Sequence, residues 1–175
     1  MSTSADELFA ARLAFPVGDR VRGTVSAVPM GAGRAGVLVD LDQPPQGWVD
    51  VLHLPDDPAD WPPVGKAGLF EVGQHRPGQV RLFPLDAGMR GRGARFLRWS
   101  GEEWAAITRR YPEGEVVVGT VTDVFPGNRE YTVKFDDCWS AVEYEDNAPP
   151  VGWTGSFRVT RLLEWTHRIL LAPAK

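Results

Sequence analysis

The sequence predicts a mainly β protein built as two small five-stranded barrels in tandem, and three observations carry that reading. FPVGDRVRGTVSAV at Phe15–Val28 returns 96 residues later as YPEGEVVVGTVTDV at Tyr111–Val124, so that Pro16/Pro112, Gly18/Gly114, Val21/Val117, Gly23/Gly119, Val25/Val121 and Val28/Val124 coincide. The same offset runs on into Val37/Val133 and Asp40/Asp136, and a second block, PPVGKAGLFEV at Pro62–Val72, returns at an offset of 87 as PPVGWTGSFRV at Pro149–Val159. Two blocks repeated in the same order mark an internal duplication. Each copy also holds five short apolar runs with glycine at the bends, the pattern of a small closed barrel whose strands coil tightly.

Along the first copy, Ser4 with Glu7 makes a capping-box pattern followed by Leu8, Phe9 and Leu13, which predicts a short helix to about Leu13. Arg20–Val28 alternates, with Val21, Gly23, Val25 and Ala27 on one face, as a half-buried strand does. Gly36–Leu41 and Gly47–Leu52 follow as strands. After a loop rich in Pro and Asp (Pro55–Pro63), Gly68–Val72 and Val80–Phe83 complete five. Ala87–Ser100 breaks the pattern with three glycines and the arginines Arg90, Arg92, Arg95 and Arg98. Ser100 with Glu103 opens a second helix carrying Trp104 and Ile107, which stops before Pro112 because a proline disfavours helix at the residue preceding it. Strands are expected near Val116–Phe125, Glu130–Phe135, Trp139–Tyr144, Gly155–Leu162 and Arg168–Ala172. The expected divisions are 1–87 for the first barrel with its helix, 88–110 for a basic linker with a short helix, and 111–175 for the second barrel.

Composition narrows the class. With 43% hydrophobic and 24% charged residues the chain is a soluble globular type, and no apolar run approaches the roughly 20 residues of a membrane span. Met1–Ala11 lacks the basic start and apolar stretch of a secretion signal, so a cytoplasmic protein is expected. A lone cysteine, Cys138, forms no internal disulfide. Charge is uneven: residues 1–87 hold 7 basic and 11 acidic side chains, 88–112 hold 6 and 2, and 113–175 hold 6 and 10. A basic connector between two acidic units points to the connector as the place for phosphate contacts.

The order V-x-G-T-V-x-x-V, then G-V-L-V-D-L, then G-W-V-D-V resembles the S-one domain, an RNA-binding member of the OB-fold (oligonucleotide-binding) barrels that is repeated in a ribosomal small-subunit protein. The resemblance covers about Val17–Leu85 and, more loosely, Glu113–Pro173. It implies tandem OB barrels and an RNA face made by two aromatics around the first hairpin and a histidine on the third strand. In the first copy those places fall on Met30, Leu38 and Asp50, which do not stack, and Asp50 would repel phosphate. In the second they fall on Phe125 and Lys134, with Arg129 nearby, while the register of the third strand around Trp139 stays open.

Other motifs have plainer readings. Gly31–Gly36 fits G-x-G-x-x-G, but a dinucleotide site needs a helix next, and Val37–Leu41 reads as strand. His53 with Asp56, Asp57 and Asp60 could suggest a metal, yet paired His or Cys spacing is missing and a solvated loop accounts for them. Cys138 with His167, and Asp136 with Asp137, could suggest catalysis; a buried thiol and a strand-end turn account for them. The seven tryptophans read as seals for barrel ends or as contact residues. The expectation is a non-enzymatic protein without cofactor or metal, binding RNA or other single-stranded nucleic acid through Arg90, Arg92, Arg95, Arg98, Phe125, Arg129 and Lys134. The alternative is a protein-binding module, of inhibitor or immunity type, that uses Trp48, Asp50, Asp56, Asp57, Asp60, Glu143, Glu145 and Asp146 against a basic partner.

Overall fold

A computed structural model describes residues 3–29, 33, 35–91 and 97–175. Its contacts gather into two compact units, Met1–Phe96 and Leu97–Lys175, and each consists of one α-helix followed by five strands. The expected mainly β architecture with short helices is the one observed. No helix among the described residues is long and apolar enough to cross a membrane.

In the first unit α1 (Ser4–Ala14) precedes β1 (Arg20–Ala27), β2 (Gly36–Asp40), β3 (Gln46–Asp50), β4 (Ala67–Arg76) and β5 (Gln79–Pro84). The capping box lies one residue earlier than expected: Thr3 accepts from the Asp6 amide at 3.1 Å and Asp6 accepts from the Thr3 amide at 2.9 Å. The reason is that the Glu7 amide already bonds the Thr3 carbonyl, which places the first helical turn there. The third strand also stops short of the expected Leu52, because Asp50 accepts from the Leu52 amide at 3.0 Å and turns Val51–His53 into a 3-10 turn.

The second unit begins with α2 (Gly101–Arg110), capped as expected by Ser100 and Glu103, and continues through β6 (Val116–Phe125), β7 (Glu130–Phe135), β8 (Cys138–Glu143), β9 (Thr154–Leu163) and β10 (Arg168–Pro173). Unit one closes as β1-β2-β3-β5-β4, with β4 returning to pair β1. Unit two has the same order, β10-β9-β6-β7-β8, cut open between β8 and β10. At that seam unit one has a parallel ladder of Gln46–Trp48 on Gln79–Arg81. Unit two instead has the buried Ser140 hydroxyl donating to the Ile169 carbonyl at 2.7 Å. A closed five-stranded barrel and a five-stranded sheet of the same strand order are consistent with an OB-like fold.

The duplication extends to irregularities. The first strand bulges between Val25 and Ala27 and, 96 residues on, between Val121 and Asp123. The fourth strand skips Gly73 in unit one and Thr160 in unit two, 87 apart. Pairing through these bulges superposes the cores: Val25/Val121, Val37/Tyr131, Val39/Val133, Leu41/Phe135, Phe70/Phe157, Val72/Val159, Val80/Ile169 and Leu82/Leu171 are all buried, so along the second strand the offset is 94 and not the 96 expected from Val37/Val133 and Asp40/Asp136. Two glycine positions are required by close approach. A Cβ on Gly23 would lie 2.4 Å from Val39 Cγ1, and one on Gly119 would lie 2.3 Å from Val133 Cγ1, so neither first strand can carry a side chain there.

Gly36 opens β2, not a helix, which removes the dinucleotide reading; Met30–Ala32 and Arg34 lie outside the described residues.

Candidate nucleic-acid interface

OB barrels take oligonucleotides on the outer face of their second and third strands, and alternation identifies that face here. On β7 and β8, Tyr131, Val133, Phe135, Cys138, Ser140 and Val142 point inward and are buried. Thr132, Lys134, Trp139, Ala141 and Glu143 therefore point outward. Register sets them in rows: Thr120, Lys134 and Trp139; then Asp123, Thr132 and Ala141; then Phe125, Glu130 and Glu143.

The first row is cationic and aromatic. Trp139 is 39% exposed. The Arg98 guanidinium lies 3.7 Å from its ring centroid and the Lys134 ammonium 5.3 Å from it. Neither Arg98 nor Lys134 enters an ion pair among the described residues. Arg98 also reaches within 5.6 Å of Trp99, which stacks on Trp104, which stacks on His167 at 5.0 Å. His167 occupies the left-handed region, at φ 50°, where unit one has Gly78. The ring contact and a bond of its Nδ1 with the Trp99 carbonyl hold it there. This aromatic column seats the segment that delivers Arg98.

Unit one also has a third-strand tryptophan, Trp48, but one row further along the face. Val25 pairs with Val39 and Val121 with Val133, so Leu38 and its partner Trp48 correspond to Thr132 and Ala141, Gly36 and Asp50 correspond to Glu130 and Glu143, and Trp139 falls at the place of Gln46. The Trp48 indole lies flat on the backbone at Gly36, where an added Cβ would come within 2.6 Å of its Cζ2. Over Trp48 sits Arg81, 5.8 Å from the ring, and its charge is met by Asp50 at 3.4 Å. The Trp48 Nε1 is buried without a hydrogen-bond partner among the described residues.

The sequence-expected residues thus divide. Arg98 and Lys134 come together around Trp139. Phe125 is 48% exposed but pairs with Glu130, four residues along β7 from Lys134, or about 13 Å away, at an end where Glu130 faces Glu143. The Arg129 guanidinium donates to the carbonyls of Glu145 and Asp146 at 3.0 and 3.3 Å and lies over Tyr144, so it ties a loop. Arg90 is half-buried, and Arg92 and Arg95 lie outside the described residues. Of the acidic set, Asp50 holds Arg81, Asp57 caps a turn by accepting from the Ala59 amide at 2.9 Å, and Asp56, Asp60, Glu143, Glu145 and Asp146 are exposed.

No group of His, Cys, Asp and Glu among the described residues is placed to hold a metal. Burial lowers the pKa of His53, against the opposing pull of Asp50, and its ring meets Phe83 edge-on. The Cys138 thiol is buried and its pKa raised by that burial, with Arg98 opposing. Asp136 accepts from Arg110 at 3.1 Å and from the Tyr111 hydroxyl. The residue the sequence left unplaced is Trp139. In the sequence Trp48 and Trp139 stand alike at the opening of an expected third strand, but Trp48 is the third residue of β3 and Trp139 the second of β8, and register decided their neighbours.

No protein-family model and no curated protein matches the chain. Among solved structures it is similar to a multidomain protein with nucleic acid binding domains from Streptococcus pneumoniae, at 14% identity and TM-score 0.32, covering 90% of this chain and 51% of that one. It is similar to GSP13 from Bacillus subtilis at 24% identity and TM-score 0.35, covering 40% and 55%. Drosophila Unr CSD456 follows at 9% and 0.29, covering 94% and 66%. The chain thus spans about half the length of the first two and under two thirds of the third. Likeness at this level does not reach a shared ligand.

Proposed function

We propose that the second unit binds single-stranded nucleic acid, RNA above all, across the outer face of β7 and β8. The observation that carries this is the exposed Trp139 ring flanked by Arg98 at 3.7 Å and Lys134 at 5.3 Å. A ring face stacks on any unpaired base, and two unpaired cations beside it take the flanking phosphates. Arg90, Arg92 and Arg95 precede Arg98 in the chain and add positive charge to that stretch of the sequence. The formal net charge of −4 and the acidic far end of the face keep the footprint to a few nucleotides.

The test is fluorescence anisotropy of a labelled oligouridine titrated over a salt series. Binding through two phosphates gives a log–log salt slope of about −1.4, and Lys134→Gln or Arg98→Gln each removes about 0.7 of it. A flat salt response, or no binding at low salt, overturns the reading.

A further inference from the structure

The row that holds Trp139 and Lys134 does not end at β7. Register carries it across the sheet: Trp139 pairs with Lys134, Lys134 with Thr120, and Thr120 with Thr154. Val117 and Val121 on β6 and Phe157 and Val159 on β9 are buried, so alternation turns Thr120 and Thr154 outward, onto the face that carries the ring and the ammonium. Thr154 is exposed and Thr120 half-buried, and their hydroxyl oxygens lie 3.0 Å apart. With neighbouring strands about 4.8 Å apart, Thr120 stands one strand from Lys134 and about 10 Å from Trp139. The same row in unit one reads Gln46, Asp40, Thr24 and Ala67. There the threonine faces an alanine, and an acid stands where unit two has Lys134. The hydroxyl pair thus occurs in the copy that has the ring and the cation.

We propose that Thr120 and Thr154 bind the ribose 2′-hydroxyl of the strand and make this face selective for RNA over DNA of the same base sequence. The inference rests on the reading of unit two as a single-strand seat. A threonine hydroxyl has one donor and two acceptor sites. One of the two protons closes the bond between the Oγ1 atoms; the other is left to donate, and lone pairs are left to accept. A 2′-hydroxyl is likewise donor and acceptor, so the pair takes it with one bond in each direction. Lys134 lies between ring and pair. The base stacks on Trp139, the phosphate meets Lys134, and the next sugar reaches the threonines. A deoxyribose offers only C–H at that point. It shuts water away from the two hydroxyls and returns no bond, so the loss falls on DNA alone.

The experiment uses the full chain with fluorescein-labelled oligouridine and oligodeoxyuridine of equal length, at one salt concentration. The ribose strand is expected to bind about 3- to 10-fold tighter, the worth of about one net hydrogen bond. Thr154→Ala installs the residue that unit one carries at Ala67, and Thr120→Val keeps the shape of the side chain. In the double variant, affinity for the ribose strand falls to that for the deoxyribose strand, which itself stays unchanged. A cross-strand threonine pair also steadies a sheet, but a purely structural role leaves the ratio of the two affinities where it was. Equal affinity of the unaltered chain for both strands, or a ribose preference that survives in the double variant, overturns the inference. Should the double variant fail to melt cooperatively, Thr154→Ala alone decides, and an undiminished preference there is equally fatal. Equal binding of both strands with a salt slope near about −1.4 removes the sugar contact and leaves the seat standing; no binding of either strand removes both.

Discussion

Trp139→Ala separates a binding tryptophan from a structural one, provided Trp48→Ala is made beside it. Stacking of a base on an aromatic ring contributes about 1–3 kcal/mol, and about 1.4 kcal/mol is tenfold in affinity, so Trp139→Ala is expected to weaken oligouridine binding by about 5- to 150-fold. Its structural cost is small. The ring is 39% exposed, and its main internal contact is the Arg98 stack at 3.7 Å, worth about 0.5–1 kcal/mol at such a site. Trp48 is the reverse case. Its indole covers Gly36 and carries Arg81, so Trp48→Ala empties packed space and costs about 2–3 kcal/mol of stability while leaving affinity within about twofold. The assay is anisotropy for affinity and a chemical denaturation midpoint for stability, on the same preparations. Equal loss of affinity in both variants, or none in Trp139→Ala, refutes the assignment of the face to unit two.

Three further outcomes follow from the packing. Gly36→Ala forces a Cβ to 2.2 Å from the Val49 carbonyl oxygen, a backbone atom that cannot step aside, and is expected to lower stability by about 1–3 kcal/mol with oligonucleotide affinity unchanged, as a thermal melt with a parallel titration will show. Ser140→Ala removes the hydroxyl that joins the β8–β10 seam and leaves the Ile169 carbonyl without its 2.7 Å donor; a loss of about 1–3 kcal/mol, with faster amide exchange in β10 than in β9, is expected. Tyr111 has its pKa pushed up to about 12, mainly by burial and by its bond to Asp136, against about 10 in the unfolded chain. That stability is fully present below pH 10 and is lost as pH rises through the folded value, because only the unfolded chain gives up the proton in between. A denaturation midpoint that does not fall above pH 10, or falls equally in Tyr111→Phe, contradicts this.

Much of the barrel was legible in the sequence because it is local. Alternation along Val21–Val25 and Val117–Val121, glycines at Gly23 and Gly119, and turn glycines at Gly18 and Gly114 each act within a few residues, and each fell where expected. The candidate site was half legible. Arg98 and Lys134 could be singled out by charge, but nothing near them in sequence distinguishes Lys134, which faces Trp139, from Arg129, which is spent on the carbonyls of Glu145 and Asp146. Phe125 and Lys134 looked like one site because they share a hairpin. Register sets them in separate rows of the face.

The sequence by itself therefore determined a duplicated five-stranded unit, since buried valines and close-packed glycines repeat at offsets of 96 and 87 whatever the partner strand is. Only the tertiary structure decided which copy offers an open ring. Trp48 and Trp139 lie in different rows and differ through neighbours brought from other strands and segments: Gly36 and Arg81, the latter paired with Asp50, at Trp48, and Lys134 and Arg98 at Trp139. Electrostatic and stacking energies depend on distance in space, and pairing register sets those distances between residues far apart in the chain.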